Sequence, residues 1–173
     1  MTAMIPVQHG LNAPENMVRL ARPADSDQLW ELARIMHTEH AYHAFPLSER
    51  RVRAELETSI SRQDGMIGVI GDDVLEGAAW LSYGNADWYT EVRTLAERMV
   101  IVHPAFRRGI VRIKSLLAWI DCAQAHIGPM VVGVISNDRT DAKVRLYRRR
   151  FGEPAGVAHF WMTGGRSALG GRD

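Results

Sequence analysis

The chain has 173 residues, a formal net charge of +1 and 46% hydrophobic residues. A chain of this length suits one domain with a single core, and its composition is that of an ordinary globular protein. The near-zero net charge excludes a global electrostatic field that would draw the protein to nucleic acid or to a membrane. The sequence has one cysteine, Cys122, which excludes an intramolecular disulfide and predicts a reducing compartment. Without a bilayer-length apolar run or a signal-peptide pattern, we expect a cytoplasmic protein.

The N-terminal part of the sequence predicts an arm, a strand and a first helix. Residues 1–16 contain glycine, asparagine and two prolines without periodicity, which is typical of a flexible arm. Residues 17–22 alternate apolar and polar side chains, as a strand does. Pro23 and the capping and acidic residues over 24–27 then predict the start of a helix.

Three histidines follow the apolar face of this helix at spacings of three: His37, His40 and His43. Since an α-helix has about 3.6 residues per turn, the first and third are rotated from each other by about 120°. This arrangement suits a metal ion poorly, and we expect no metal. The alternatives are the lining of a binding pocket and a plain surface.

A second helix and a strand hairpin are predicted next. Residues 47–62 combine a charged outer face with Ser48 as the helix cap. Residues 66–70 and 74–83 have the composition of strands, and a Gly-Asp-Asp turn signal at residues 71–73 joins them. The turn signal predicts that the two strands lie side by side and antiparallel.

The segment from residue 95 to residue 128 organises the rest of the chain. Residues 99–102 form a β-branched apolar run that predicts a buried strand. The strand should end at His103-Pro104, because proline cannot donate to a strand ladder. After a short basic turn, apolar residues recur at the spacing of a long amphipathic helix; they are Ile110, Ile113, Leu116, Leu117 and Ile120.

The turn of this strand–turn–helix unit is a candidate anion site. The unpaired N–H groups at a helix start and the helix dipole both attract phosphate, and Arg107 and Arg108 lie beside them in the sequence. A cofactor that carries a polyphosphate fits this position. Arginines next to a turn are also compatible with an alternative, which is a basic turn that is simply exposed to solvent.

The C-terminal part predicts two further strands and a helix. An apolar strand is predicted over residues 129–135, a loop over 136–141 and a short, very basic helix over 142–151. A final strand is predicted over residues 157–162, and residues 164–173 form a flexible, glycine-rich tail. Since no linker interrupts the preceding segments, the sequence predicts a single α+β domain.

Three segments of this domain, which spans residues 17–163, resemble the GNAT-type N-acetyltransferases. Residues 102–110 (VHPAFRRGI) resemble the strand end and the pyrophosphate-binding turn of that family. Residues 146–154 (LYRRRFGEP) resemble its later helix, which carries a Leu-Tyr pair, and residues 18–30 resemble its opening strand with an Arg-x-Ala-x-x-x-Asp pattern. The resemblance implies a mixed, mostly antiparallel central sheet flanked by helices.

The turn departs from the family pattern, which is Arg or Gln, two residues, Gly, one residue, and Gly or Ala. Counted from Arg107, Ile110 and Arg112 occupy the two small positions; counted from Phe106, Val111 occupies the second. A glycine lets a backbone approach a ligand closely, so this turn is more crowded. A non-catalytic acyl-CoA-binding or assembly protein with the same fold is therefore the alternative function.

The resemblance implies acetyl transfer from acetyl-CoA to an amine, with coenzyme A as product. It places a general acid for the departing thiolate at Tyr147, whose alternative role is to pack a helix on the sheet. Glu97 is the candidate general base, and strand alternation predicts that it faces the same side as Met99 and Ile101. The alternative for Glu97 is an ion pair with a neighbouring arginine.

The resemblance also implies the residues that hold the cofactor. The strand end lends backbone groups to the pantetheine arm, the turn holds the pyrophosphate, and an asparagine contacts the pantetheine or the acceptor. The implied set is Ile101, Val102, Arg107, Arg108, Gly109, Ile110, Val111, Arg112 and Asn137.

The sequence says less about the amine acceptor and other partners than about the cofactor. Residues 85–90, Tyr42 and the histidines predict an aromatic, partly polar pocket for the amine of a small molecule or a peptide. The basic run over residues 143–150 is an alternative nucleic-acid contact, but the neutral net charge argues against it, and we expect no membrane partner. Exposed strand edges favour a homodimer.

Overall fold

The computed structural model describes residues 17–40, 43–85, 89–134 and 140–154. The predicted arm (residues 1–16), final strand (157–162) and tail (164–173) lie outside these ranges, and so do residues 136–139 of the predicted loop, which include Asn137; its last two residues, 140 and 141, belong to the last described helix. Those assignments and the bounds of the domain stay predictions. None of the helices within the described ranges is long and apolar enough to cross a membrane.

Five strands and four helices make up the described fold. The strands are β1 (Val18–Leu20), β2 (Gly65–Ile70), β3 (Gly77–Asn85), β4 (Arg93–Val102) and β5 (Met130–Val131). The helices are α1 (Ser26–Glu39), α2 (Glu49–Ile60), α3 (Val111–Ile127) and α4 (Thr140–Phe151). Short 3-10 turns at Pro23–Asp25 and Pro104–Phe106 precede α1 and α3.

The strands form one sheet in the order β1-β2-β3-β4-β5. The first four pair antiparallel, and β5 pairs parallel to β4. The expectation of a mixed, mostly antiparallel sheet flanked by helices is confirmed for the described residues. β4 is therefore the strand at which the pairing changes from antiparallel to parallel.

Each face of the sheet carries its own core. On one face α3 buries Leu116, Trp119 and Ile120 against the strands. On the other face α1 and α2 bury Leu29, Leu32 and Leu56. Because apolar side chains are buried on both faces, each strand residue is held to one face. A register slip by one residue would move the side chains of a strand to the opposite faces.

An ion pair between the two ends of the Arg-x-Ala-x-x-x-Asp segment joins the first strand to the start of the first helix. Arg19 donates from Nη1 and Nη2 to the two carboxylate oxygens of Asp25, at 2.8 and 2.9 Å, and the N–H of Arg22 donates to Asp25 at 2.7 Å. Asp25 is 4% exposed. The Arg-x-Ala-x-x-x-Asp pattern thus has a structural purpose here, which is to satisfy a buried carboxylate.

The starts of β3 and α2 were predicted too early, because turn and cap residues were counted into the elements. The connection from β2 to β3 runs over residues 71–76, where the N–H of Glu76 donates to the C=O of Ile70 at 2.8 Å. Gly71 has φ +100°, and a Cβ there would lie 2.1 Å from the carbonyl oxygen of Val74. The second helix begins at Glu49, after Ser48, whose hydroxyl accepts from the N–H of Arg51 as a helix cap should.

Candidate active site

A β-bulge in β4 determines where Glu97 points. Met99 pairs with Trp80, and Glu97 pairs with Leu81, so Arg98 is an extra residue in β4. A bulge of this kind breaks the alternation of side chains along a strand. The prediction that Glu97 shares a side with Met99 and Ile101 was therefore wrong.

Glu97 instead lies on the face that α3 and α4 cover. Its partner Leu81 belongs to the core on that face, whereas Met99 belongs to the core under α1 and α2. Tyr147 of α4 packs against the same core as Leu81. The hydroxyl of Tyr147 donates to Glu97 and lies 2.9 Å from Oε1 and 3.0 Å from Oε2.

The neighbouring arginines do not hold Glu97. Arg98 donates from Nε to the hydroxyl of Ser82 at 2.7 Å, and the guanidinium of Arg93 lies over the ring of Tyr83 at 5.1 Å. The ion-pair alternative for Glu97 is thereby excluded. Besides Tyr147, the backbone of Gly133 favours the ionised carboxylate and so acts to lower its pKa.

Both members of the pair have perturbed acidities. Burial raises the pKa of Glu97 to about 7, and the hydrogen bonds from Tyr147 and Gly133 oppose that shift. Burial and the adjacent carboxylate raise the pKa of Tyr147 well above its ordinary value. Near neutral pH, Glu97 is therefore a carboxyl that can both take and release a proton, and Tyr147 is a protonated donor.

The pairing between β4 and β5 stops at the candidate site. Leu95 and Ala96 pair with Met130 and Val131, the two residues of β5. From Glu97 onward β4 continues to Val102 beside a cleft. The predicted strand over residues 129–135 was thus too long, because the chain leaves the sheet at Val132.

The open edge of β4 presents backbone groups to this cleft. The N–H of His103 donates to Glu76 on the β3 side at 2.8 Å. Because backbone groups alternate sides along a strand, those of Ile101 also face β3, and those of Val100 and Val102 face the cleft. The contact of Ile101 with the pantetheine arm stays a prediction; its side chain is buried, and the alternation adds Val100 as a further candidate.

The cleft is a cavity of about 790 Å³. Its walls are the last turn of α1, the stretch of β4 from Glu97 to Val102, and the turn and first residues of α3. The opposite wall includes Gly133 and the face of α4 that carries Lys143 and Tyr147. A volume of this size is within the range of small-molecule and cofactor sites.

The turn before α3 forms one end of the cleft. Gly109 has φ +80°, a backbone conformation that suits glycine, and α3 begins two residues later at Val111. The first hydrogen bond of the helix runs from the N–H of Lys114 to the C=O of Ile110 at 3.1 Å. The N–H groups of residues 111–113 therefore have no partner within the helix. The side chains of Ile110 and Val111 are 55% and 63% exposed at this end.

The three arginines of the turn differ in their contacts. Arg107 donates from Nε to the C=O of Val102 at 2.8 Å, and its Nη2 lies 2.7 Å from Oε1 of Glu39. Arg112 pairs with Glu76 and lies over the ring of Phe106. Arg108 is exposed and makes no ion pair with any other described residue.

The histidines at the end of α1 differ in their surroundings. His37 and His40 end the helix, and the Nε2 of His37 lies 2.9 Å from the C=O of Phe45. Burial first, and then the charges of His37 and Lys143, lower the pKa of His40, which lines the cleft. In the part of the chain that the structure describes, no group of three or more His, Cys, Asp or Glu side chains could hold a metal ion.

The fold is that of the GNAT-type N-acetyltransferases. The chain is similar to a possible acetyltransferase from Clostridium difficile 630, with a TM-score of 0.62 at 16% sequence identity over 84% of this chain and 96% of that one. It is also similar to the aminoglycoside N-acetyltransferase AAC(6')-Iy in complex with CoA, with a TM-score of 0.60 at 14% identity over 85% of this chain and 93% of that one. No protein-family model matches the sequence, and no curated protein matches it significantly.

AAC(6')-Iy has also been solved with a bisubstrate analogue, CoA-S-monomethyl-acetylneamine. That structure has a TM-score of 0.58 to this chain at 14% identity, over 84% of this chain and 96% of the other. At these identities the likeness is one of fold.

Proposed function

We propose that the protein is an N-acetyltransferase that moves the acetyl group of acetyl-CoA to a primary amine by direct attack on the thioester. The observation that carries the proposal is the hydrogen-bonded pair of Glu97 and Tyr147, which lies at the open edge of β4 in a cleft of cofactor size. The fold of the acetyltransferases supports it. The acceptor is the amine of a small molecule or of a peptide.

Acetyl-CoA would lie along the open edge of β4. The N–H groups of Gly109 to Ile113 and the side chain of Arg108 are the proposed ligands of the pyrophosphate, since hydrogen bonds to charged groups contribute about 1.5–3 kcal/mol each. The cleft-facing backbone groups of Val100 and the N–H of Val102 would bond the pantetheine arm, since the C=O of Val102 already accepts from Arg107. A backbone N–H at this edge would also polarise the thioester carbonyl.

Glu97 is the proposed base. An amine with an ordinary pKa near 10.4 is almost entirely protonated at pH 7, and deprotonation costs about 4–5 kcal/mol. A carboxylate with a pKa of about 7 accepts a proton more readily than one with an ordinary value. The bound ammonium would lose its first proton through Glu97 to solvent, which leaves the neutral amine to attack.

Tyr147 is the proposed acid, and its hydrogen bond to Glu97 makes the two residues a proton relay. The C–N bond forms and the C–S bond breaks. The second proton of the nitrogen passes to Glu97, and the phenolic proton of Tyr147 passes to the departing thiolate. Glu97 then returns its proton to the phenolate along the existing hydrogen bond of 2.9 Å. The net result is transfer of one proton from nitrogen to sulfur, with both residues restored.

A second candidate function is acyl-CoA binding without catalysis. The crowded turn favours it, because Ile110 and Val111 expose bulky side chains there and Arg112 is held by Glu76 and Phe106. Such a protein would bind the cofactor through the same turn but would not use Glu97 and Tyr147.

Two measurements test the proposal. Calorimetry with coenzyme A measures binding, and mass spectrometry after incubation with isotopically labelled acetyl-CoA and a library of amines detects acetylated product. Labelled product that disappears in the Glu97→Gln variant supports the enzyme. Binding without product from the whole library would support the second candidate, and absence of binding would overturn both.

A further inference from the structure

Arg107 joins two parts of the cleft that are far apart in the sequence. Its Nε donates to the C=O of Val102, the last residue of β4, at 2.8 Å. Its Nη2 lies 2.7 Å from the carboxylate of Glu39, the last residue of α1. One guanidinium thus ties the end of a central strand to the end of a helix on the other side of the cleft.

These contacts leave Arg107 badly placed as a phosphate ligand. An arginine recognises a phosphate best when two of its N–H groups point at the oxygens in parallel. Here one N–H group is directed at the protein's own carbonyl and another at its own carboxylate. To offer its Nε–Nη2 edge to a phosphate, the guanidinium would have to leave Val102 and Glu39, and Glu39 would then be an unpaired carboxylate in a cleft that binds an anion.

The helix end that Arg107 holds is a wall of the cleft. Met36, Thr38, Glu39 and His40 all line the cavity. They lie in or directly after the last turn of α1, where a helix frays most easily. An ion pair that fixes this turn against β4 would therefore fix the position of the wall relative to Glu97.

We infer that Arg107 and Glu39 form a clamp that positions the last turn of α1 against the open edge of β4, and that Glu39 is a positioning residue of the site rather than a surface acid. The inference rests on the proposed function for its catalytic meaning. The phosphate contacts then belong to Arg108 and to the first N–H groups of α3. Both clamp residues are partly exposed, so neither substitution threatens the fold.

The test compares Arg107→Gln with Glu39→Gln in the full chain. Two quantities are measured: the affinity for coenzyme A by calorimetry, and the hydrogen exchange of the amides of residues 34–40. A clamp predicts the same result for both variants, namely exchange about three to ten times faster at these amides and affinity for coenzyme A within threefold of the wild type. Glu31→Gln is the matched control, because it removes an exposed ion pair to Arg34 on the same helix, and it should leave exchange unchanged at the amides of residues 36–40, which lie beyond that pair.

A phosphate ligand predicts opposite results for the two variants. Arg107→Gln would weaken binding of coenzyme A tenfold or more, and Glu39→Gln would strengthen it by releasing the arginine. That outcome, or unchanged exchange in both variants, would overturn the clamp. If the wild type bound no coenzyme A, the proposed function would fall, whereas the exchange measurement would still decide the clamp.

Discussion

The hydroxyl of Tyr147 lies within hydrogen-bond distance of both carboxylate oxygens of Glu97, although fifty residues separate them in the chain. Two elements bring them together. The bulge at Arg98 turns Glu97 to the α4 face of the sheet, and α4 packs Tyr147 onto that face. Neither residue alone indicates catalysis, but a buried acid with a pKa of about 7 beside a phenol in a cleft is a candidate proton-transfer site.

The first prediction concerns the phenolic proton. Tyr147→Phe removes the proposed donor to the thiolate but keeps the ring, which packs edge-on against Phe151 at 5.6 Å. We expect turnover to fall about a hundredfold or more, as for the loss of a general acid, with affinity for coenzyme A unchanged. The measurements are steady-state kinetics and calorimetry.

Tyr83→Phe is the control for this substitution. It removes the same atom from a buried hydroxyl that has no hydrogen-bond partner among the described residues. Its activity should match the wild type. Turnover of Tyr147→Phe equal to that of the control would remove Tyr147 from the mechanism.

The second prediction is a pH dependence. If Glu97 must be ionised to take a proton from the bound ammonium, kcat/KM should rise as pH increases and level off above the pKa of Glu97, which is about 7. An ordinary exposed glutamate would already be ionised near pH 5. The check is a profile of log kcat/KM between pH 5 and 9 with one amine; a profile that is flat from pH 6 to 8 would argue against Glu97 as the base.

The third prediction concerns the turn. Arg108→Glu places a negative charge beside Gly109 and the first amides of α3, where the pyrophosphate is proposed to bind. Loss of one charge-assisted hydrogen bond costs about 1.5–3 kcal/mol, and charge reversal costs more. We therefore expect calorimetry to show no binding of coenzyme A at concentrations that saturate the wild type.

Arg50→Glu supplies the comparison for the turn variant. Arg50 is an exposed residue of α2, and it does not line the cleft. The same change of net charge there should leave the affinity for coenzyme A within about twofold. Equal affinities in the two variants would contradict the phosphate role of the turn.

The order of the elements and the position of the central unit could be predicted because they depend on local signals. Apolar periodicity identified α3, and Pro104 marked the end of β4 after Val102. The cap at Ser48 followed from the hydrogen-bonding chemistry of its side chain. The family resemblance pointed to Glu97 and Tyr147, whose functional roles stay proposals.

The contacts that shape the site could not be predicted in this way, because they depend on pairing between distant segments. Nothing in the residues around Arg98 marks an extra position in β4, so alternation alone assigned Glu97 to the wrong face. The ion pair of Arg107 with Glu39 joins two distant segments, which meet only when α1 packs against β4. The effect of the Gly133 backbone on the pKa of Glu97 is one that no side-chain pattern encodes.

The last prediction is that Glu97 lowers the stability of the folded protein at the pH where it would be active. Its pKa is raised from an ordinary value of 4.5 to about 7 by burial, so between these values the folded state binds more protons than the unfolded state. Stability contributed by this group is therefore present below pH 4.5 and is lost as pH rises through about 7, and the total loss is about 3 kcal/mol.

Glu97→Gln is neutral at every pH and should escape that loss. We expect the variant to be inactive, close to the wild type in unfolding free energy at pH 5, and more stable at pH 8, as measured by urea denaturation at both values. A wild type that is equally stable relative to the variant at pH 5 and pH 8 would show that the carboxyl is not perturbed and would remove the basis for its role as the base.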